Sequence, residues 1–347
     1  MKSFVSLAIF AAFASSAPSG TQLLAKSAAS TYPGAALLGS TIEGCSVDSR
    51  GGMYAVNQTH FVSLTDASIS KPLLVGAGGT ESFFASSRWT CSMGALVGDA
   101  AAHKVWKATG AATLFTEKGM VQPNDFTVSK CEKRMYLAGM NYTANTGDLW
   151  YYDVAKGKAV AVPVPVGTET FRMNGVELSP DDKTLYVTSA ENNANATQVL
   201  SAKIWKFKVD PATGIPSSPE VAIDLYKTLE AMSPPLDPKT AGMDPDGMRM
   251  DSKGTLFMTL NAFGKVLVWD TNGPTCNAKV IDLETIQNPT NLELGGADGK
   301  TLVVVGRCRA DLATSCVDSY AHNTAGRAFT NLQGKQCTTA PKSKSYY

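Results

Sequence analysis

The sequence predicts an all-β chain, folded as a six-bladed β-propeller with a central metal site. Three observations predict it. A tryptophan-bearing strand recurs four times, a strand–turn–strand unit recurs five times, and a polar residue opens each copy of that unit. Recurrence of this kind marks an architecture assembled from copies of one supersecondary unit. The 347 residues would fit two average domains, but propellers of this length are single domains. A β-sandwich would use the same strand chemistry without explaining the recurrence. Hydrophobic residues at 44% and charged residues at 18% describe a chain that forms a core.

The N-terminal end stands apart from the repeats. Residues 1–17 are expected to be a signal peptide: Lys2 is the basic start, Phe4 to Phe13 the short apolar run, and Ala14-Ser15-Ser16-Ala17 the small residues of a cleavage region. Residues 18–35 read as a linker, 36–337 as the propeller and 338–347 as a loose basic tail. The mature protein is therefore expected to be secreted and extracellular. No later stretch has the about 18 apolar residues of a membrane helix, so no membrane partner is expected. Glycosylation sequons at Asn57, Asn141 and Asn195 agree with export; Pro289 excludes the one at Asn288. Seven cysteines with no zinc spacing point to disulfides and, the number being odd, to at least one unpaired thiol. A net charge of +1 without a basic stripe argues against a nucleic-acid partner. A monomer is expected.

The tryptophan strand runs Lys104-Val105-Trp106-Lys107, then Asp148-Leu149-Trp150-Tyr151, Lys203-Ile204-Trp205-Lys206 and Val266-Leu267-Val268-Trp269. Apolar and polar residues alternate, as in a half-buried strand, and a glycine-containing turn follows each copy. The second unit opens at Glu43, Asn124, Asn174, Asp246 and Asn291, and resumes after its turn at Met53, Met135, Leu185, Leu256 and Leu302, an offset of 10 or 11 residues each time. Its turns include Asp48-Ser49-Arg50-Gly51, Ser179-Pro180-Asp181-Asp182 and Asp251-Ser252-Lys253-Gly254, all strong hairpin chemistry. The 81 residues from Glu43 to Asn124 leave room for a further blade, with inner strands within Phe83 to Val97 and Trp106 on its outer strand.

The first strand of each propeller blade lines the central channel, so residues that open successive first strands converge on the axis. Glu43, Asn124, Asn174 and Asp246 are then candidate metal ligands: two carboxylates and two amides, all oxygen donors, which suit Ca2+, Mg2+ or Mn2+. Clustered carboxylates without a cation would repel and hold their protons more tightly. Asn-Gly and Asp-Gly are also favoured turn pairs; it is the shared repeat position that favours a site. Asn291 stands at the same place in the last blade and is not counted among the ligands.

These residues resemble the senescence-marker-protein (regucalcin)/gluconolactonase/luciferin-regenerating-enzyme family. The matching segments are Ile42-Glu43-Gly44, Pro123-Asn124-Asp125, Met173-Asn174-Gly175 continuing to Val187, Pro245-Asp246-Gly247-Met248, and Asn291 with Gly295-Gly296-Ala297-Asp298. The resemblance implies a six-bladed propeller holding Ca2+ or Zn2+ on Glu43, Asn174 and Asp246. Asn124 falls where the family touches substrate or completes the metal shell, and Asp246 where its catalytic acid–base lies. Residue chemistry and resemblance together favour one divalent cation, Ca2+ first, with Zn2+, Mn2+ or Mg2+ as alternatives. The implied activity is that of a metal-dependent carboxylic ester hydrolase acting on a small lactone, a gluconolactonase-like lactonase. Two departures stand out: Cys45 where the family has proline, which would bring a thiol or disulfide near the channel, and Phe126 where it has glycine.

Other catalytic designs find little support. His60, His103 and His322 open no first strand, and no Gly-x-Ser-x-Gly elbow occurs. Two other readings use the same propeller: a secreted binding protein with a structural metal, and a phosphotriesterase-like hydrolase.

Overall fold

The computed structural model describes residues 23–333 except 40, 80, 109–111, 117–118, 165–169 and 240–241. The expected signal peptide, 1–17, and the tail, 338–347, lie outside the described residues.

Alternating side chains build six antiparallel sheets, the six blades expected. Blade 1 comprises Glu43–Val47, Met53–Val56, His60–Ser63 and Leu74–Val75. Blade 2 runs Phe84–Thr90, Gly94–Asp99, Lys104–Lys107 and Ala112–Thr116. Blade 3 runs Pro123–Val128, Arg134–Asn141, Thr146–Asp153 and Lys158–Ala161. Blade 4 has Arg172–Leu178, Thr184–Asn192, Val199–Val209 and Pro216–Asp224. Blade 5 has Asp244–Met250, Thr255–Asn261, Lys265–Asp270 and Lys279–Asp282. Blade 6 has Ile286–Gly295, Thr301–Cys308 and Ser315–Ala321. The first strands of neighbouring blades pack on one another all the way round, which makes them the wall of the channel.

Successive residues point to opposite neighbours, and this is how each blade is glued on both faces. In the second strand of blade 5, Leu256, Met258 and Leu260 pack toward blade 4, while Phe257 packs toward blade 6. The hairpins at the base of the ring are the turns expected. The Asp48, Asp181 and Asp251 carboxylates accept backbone N–H bonds from residues two ahead, at 2.8–3.1 Å.

Two expectations are corrected. The tryptophan strands are the third of four, not the outermost: a further strand follows the glycine turn. In blade 3 that outer strand, Lys158–Ala161, is short and exposed, so it carries no apolar alternation to read. The stretch read as a linker, 18–35, holds two strands from Leu23 on. Leu23–Lys26 pairs in parallel with Lys279–Asp282 at the edge of blade 5, and Ala28–Ala29 supplies the fourth strand of blade 6. Between them Ser27 donates through Oγ to Asp318 at 2.9 Å, and Thr285 donates to the same buried carboxylate through its N–H at 3.0 Å. The N-terminal segment thereby locks the last two blades together.

Cys308 and Cys316 form a disulfide across a hairpin of blade 6, and Cys91 is disulfide-bonded as well; Cys45, Cys131 and Cys276 are free. A six-residue helix, Arg327–Leu332, crosses the base of the ring. No helix among the described residues is long and apolar enough to cross a membrane.

Candidate functional site

In every blade the ladder between the first and second strands slips near the start of the first strand. The slips fall between Glu43 and Ser46, Phe84 and Ser86, Pro123 and Asp125, Met173 and Val176, Pro245 and Met248, and Pro289 and Asn291. A bulge releases a residue from the ladder and re-aims its side chain. Asn124, Asn174 and Asp246 lie in these slips and Glu43 at the edge of one, so the polar openings share one structural position at the mouth of the channel. Beyond the slips, Val128–Met135, Leu178–Leu185, Met250–Leu256 and Leu294–Leu302 pair equivalently. That register puts Thr290, not Asn291, level with Asn174 and Asp246. Asn291 is corrected accordingly: it is buried against Gly247 and accepts the Leu292 N–H at 2.9 Å.

The glycines of the motif have a packing cause. A Cβ on Gly175 would sit 2.3 Å from the Asp246 carbonyl oxygen, and one on Gly247 2.5 Å from the Asn291 side chain. Glycine lets one inner strand touch the next, which brings their polar residues together.

Asp246 is the best-defined member. Asn174 Nδ2 donates to its Oδ1 at 2.8 Å, and Asn261 Nδ2 donates to its Oδ2 at 3.0 Å. Burial pushes its pKa up to about 7, against the pull of these amides, and the negative charges of Asp244 and Asp125 add to the rise. Glu43 is also raised well above the usual carboxylate range, by burial first and then by the charge of Asp246; Arg307 and the Thr290 hydroxyl oppose the rise. The Asn174 amide oxygen is buried with no hydrogen-bond partner. Asn124 is half-buried in its own slip, and no hydrogen bond joins it to the other three. The structure thus joins Asn174 to Asp246 directly and Glu43 to Asp246 electrostatically.

Sequence reasoning missed several neighbours. Asn261 ends the second strand of blade 5, paired with Asp244; the hairpin register was the signal that could have found it. Arg172 and Asp244, each two residues before a candidate ligand, form a two-pronged ion pair at 2.9 and 3.0 Å. The Tyr142 ring covers that guanidinium, its centroid 4.5 Å from Cζ.

Below the mouth the channel is plugged. Asp125 bridges Arg88 and Arg249, each at 3.1 Å; Arg249 reaches Glu293 at 3.2 Å; and Glu177 meets Arg327 of the C-terminal helix at 3.0 Å. Three guanidinium groups are paired with these three carboxylates, and Arg327 also reaches Asp182 at 2.6 Å, so the ion-paired plug closes this end and the mouth is left as the way in. Its sequence signal was a charge inside an apolar strand, as in Met248-Arg249-Met250 or Leu292-Glu293-Leu294.

Neither departure from the family pattern reaches the mouth. The Cys45 thiol is fully buried in the core between blades 1 and 6, in no disulfide, and burial pushes its pKa up, so it is inert. Its carbonyl, not its sulfur, faces the axis, accepting Arg249 Nη2 at 2.9 Å. Phe126 packs between blades 2 and 3 with the Arg88 guanidinium 5.5 Å from its ring centre.

The SMP-30/Gluconolactonase/LRE-like region matches residues 29–306, which includes blades 1 to 5, the first strand of blade 6 and every candidate site residue. The chain belongs to this family. Among curated relatives, an uncharacterised protein of Sulfolobus acidocaldarius is 30% identical over 198 residues, 55% of this chain and 60% of the relative. A gluconolactonase of Zymomonas mobilis is 31% identical over 102 residues, 29% of this chain and 24% of the relative. The chain therefore spans less than two thirds of the length of either. Two solved structures share the fold. A luciferin-regenerating enzyme aligns with TM-score 0.62 and 15% identity, covering 84% of this chain and 96% of that one. Regucalcin from Agrobacterium tumefaciens, described as a calcium-binding protein, aligns with TM-score 0.64 and 16% identity, covering 88% and 97%.

The expected metal site stands on fewer carboxylates than a closed cage would offer. No group of three or more His, Cys, Asp and Glu side chains that could hold a metal ion occurs among the described residues. The mouth pairs two carboxylates, Glu43 and Asp246, with amides.

Proposed function

We propose that the chain is a lactonase-type hydrolase, dependent on a divalent cation and secreted. The observation that carries the reading is Asp246: a carboxylate at the open end of a plugged channel, fixed by two amides, with a pKa of about 7. Without a cation that affinity for protons makes Asp246 a competent general base near neutral pH, and beside a bound cation a weaker one. On this reading a water beside Asp246 attacks the lactone carbonyl. Asp246 takes the water's proton and later returns it to the ring oxygen as the acyl–oxygen bond breaks, giving the hydroxy acid. Asn174 and Asn261 hold the carboxylate in one orientation, and Asn124, two blades round the ring in blade 3, would contact the substrate.

The donors fit a hard cation. Two buried carboxylates with raised pKa values, Glu43 partly through the charge of Asp246, and an amide oxygen left unpartnered beside Asp246 are relieved by positive charge. Glu43, Asn174 and Asp246 would hold the ion, with Asn124 completing its shell. Bound there, a divalent ion would supply Lewis-acid polarisation of the lactone carbonyl. Ca2+ is the first choice, with Zn2+, Mn2+ and Mg2+ as alternatives. Secretion is supported by the leader-like residues 1–17 and by the Cys308–Cys316 disulfide, a bond that persists in oxidising compartments.

The test is hydrolysis of a panel of small lactones and organophosphate triesters, with chelator added and then Ca2+, Mn2+, Zn2+ or Mg2+ restored. Lactone turnover that vanishes with chelator and returns with one ion is expected. No turnover with any ion, despite measurable ion binding, would instead favour a binding propeller, and triester turnover alone a phosphotriesterase.

A further inference from the structure

The three sequons fall at one place in the blade. Asn57, Asn141 and Asn195 lie where the second strand of blades 1, 3 and 4 ends and turns into the third. Second strands run antiparallel to first strands, so these turns stand beside the openings of the first strands, at the mouth. Glu43 pairs with Val56 and Pro123 with Gly139, which fixes that end of the molecule.

The three asparagines are not equivalent. Asn57 is half-buried, and its side chain is spent within its own turn. Its Oδ1 accepts the Thr59 and His60 N–H groups at 2.9 and 2.7 Å, and its Nδ2, the atom a glycan would use, points inward to the carbonyl of buried Leu38 at 2.8 Å. Asn141 and Asn195 are exposed, as are Thr143 and Thr197 of their sequons. Only the oxygen of Asn141 is engaged, by the Ala144 N–H at 2.8 Å.

The two exposed loops are tied to each other and to the site. Asn145 Oδ1 accepts the Asn192 N–H at 2.8 Å, and Asn192 Nδ2 donates to the Tyr142 carbonyl at 3.0 Å. Tyr142, next to Asn141, covers Arg172, which holds Asp244 beside Asp246. We infer that Asn141 and Asn195 carry N-linked glycans and Asn57 does not, and that the two glycans overhang the blade 3–blade 4 side of the mouth, leaving approach from blades 5, 6 and 1.

The inference rests on export and is independent of hydrolysis. The full chain, with its own N-terminal residues, is expressed in a eukaryotic host and its glycopeptides mapped by mass spectrometry. Glycan at Asn141 and Asn195, with Asn57 unmodified, is expected in the medium. Retention of unglycosylated chain inside the cell would sink the export reading; secreted chain bare at Asn141 or Asn195, or modified at Asn57, would overturn this inference alone. The overhang is read separately by tetranitromethane nitration of Tyr142, mapped by peptide mass. Enzymatic glycan removal should speed it several-fold, and an unchanged rate would show that the Asn141 glycan stands away from the mouth. Thr143→Ala, which abolishes the sequon and keeps Asn141, should give the same acceleration.

Discussion

Asp246 accepts two amide hydrogen bonds and still keeps its proton up to about pH 7, because burial and neighbouring carboxylates outweigh what the amides supply. Since the folded value lies above the ordinary value of 3.8, the folded chain binds more protons than the unfolded chain between these limits. The stability associated with protonated Asp246 is whole below pH 3.8 and lost as pH rises through about 7. Thermal unfolding of cation-free protein should therefore show Tm falling across that interval, and Asp246→Asn should flatten the fall. The same variant should lose about 10²–10⁴-fold in kcat/KM on a lactone that the wild type turns over. Cation binding must displace protons from these carboxylates, so adding the ion near pH 6 should acidify a weakly buffered solution. Glu43, Asn124, Asn174 and Asp246 could be read in the sequence because each opens a repeated unit. Asn261 and Thr290 could not: Asn261 belongs to a different strand, and Thr290 stands one residue before the asparagine that imitates the motif.

At the scale of the strand, what positions the site is a bulge and the glycine after it. Gly175→Ala would drive a methyl group into the backbone of the next blade, at 2.3 Å from the Asp246 carbonyl oxygen. A loss of about 1–3 kcal/mol is expected in urea unfolding, together with weaker cation binding, because the inner strands of blades 4 and 5 must move apart. Gly273, whose added Cβ would meet nothing closer than 3.5 Å and whose φ is not positive, provides a control for crowding. The inner strands were legible because nearly every residue in them is buried, and the tryptophan strands because apolar and polar residues alternate along them. Outer strands were not. Lys158–Ala161 faces water along most of its length, and Ala28–Ala29 is two residues long. Such strands are specified by the edge they complete, which no local pattern records.

For the whole molecule, the ion-paired plug decides that the channel is closed from below. Arg249→Met removes the guanidinium shared by Asp125 and Glu293; Asp125 keeps Arg88, but Glu293 is left buried without its ion-pair partner. Breaking such a network from one side costs about 3–5 kcal/mol, measurable by chemical denaturation. That the charges at Arg88, Glu177, Arg249 and Glu293 meet on the axis was beyond sequence reasoning, since they come from four different blades. The way the ring closes also sets a timetable. The segment 23–29 is among the first parts of the described chain to be synthesised, yet its partners are Lys279–Asp282 and Ser315–Ala321; Ser27 bonds to Asp318, 291 residues later. At ribosomal speed that is a wait of roughly 15–60 s. Blades 1 to 4 can form as they emerge, each from neighbouring hairpins, while the opening segment stays unpaired until blades 5 and 6 arrive to be latched. A nascent chain halted before Lys279 lacks every partner of that segment, and its ring stays open.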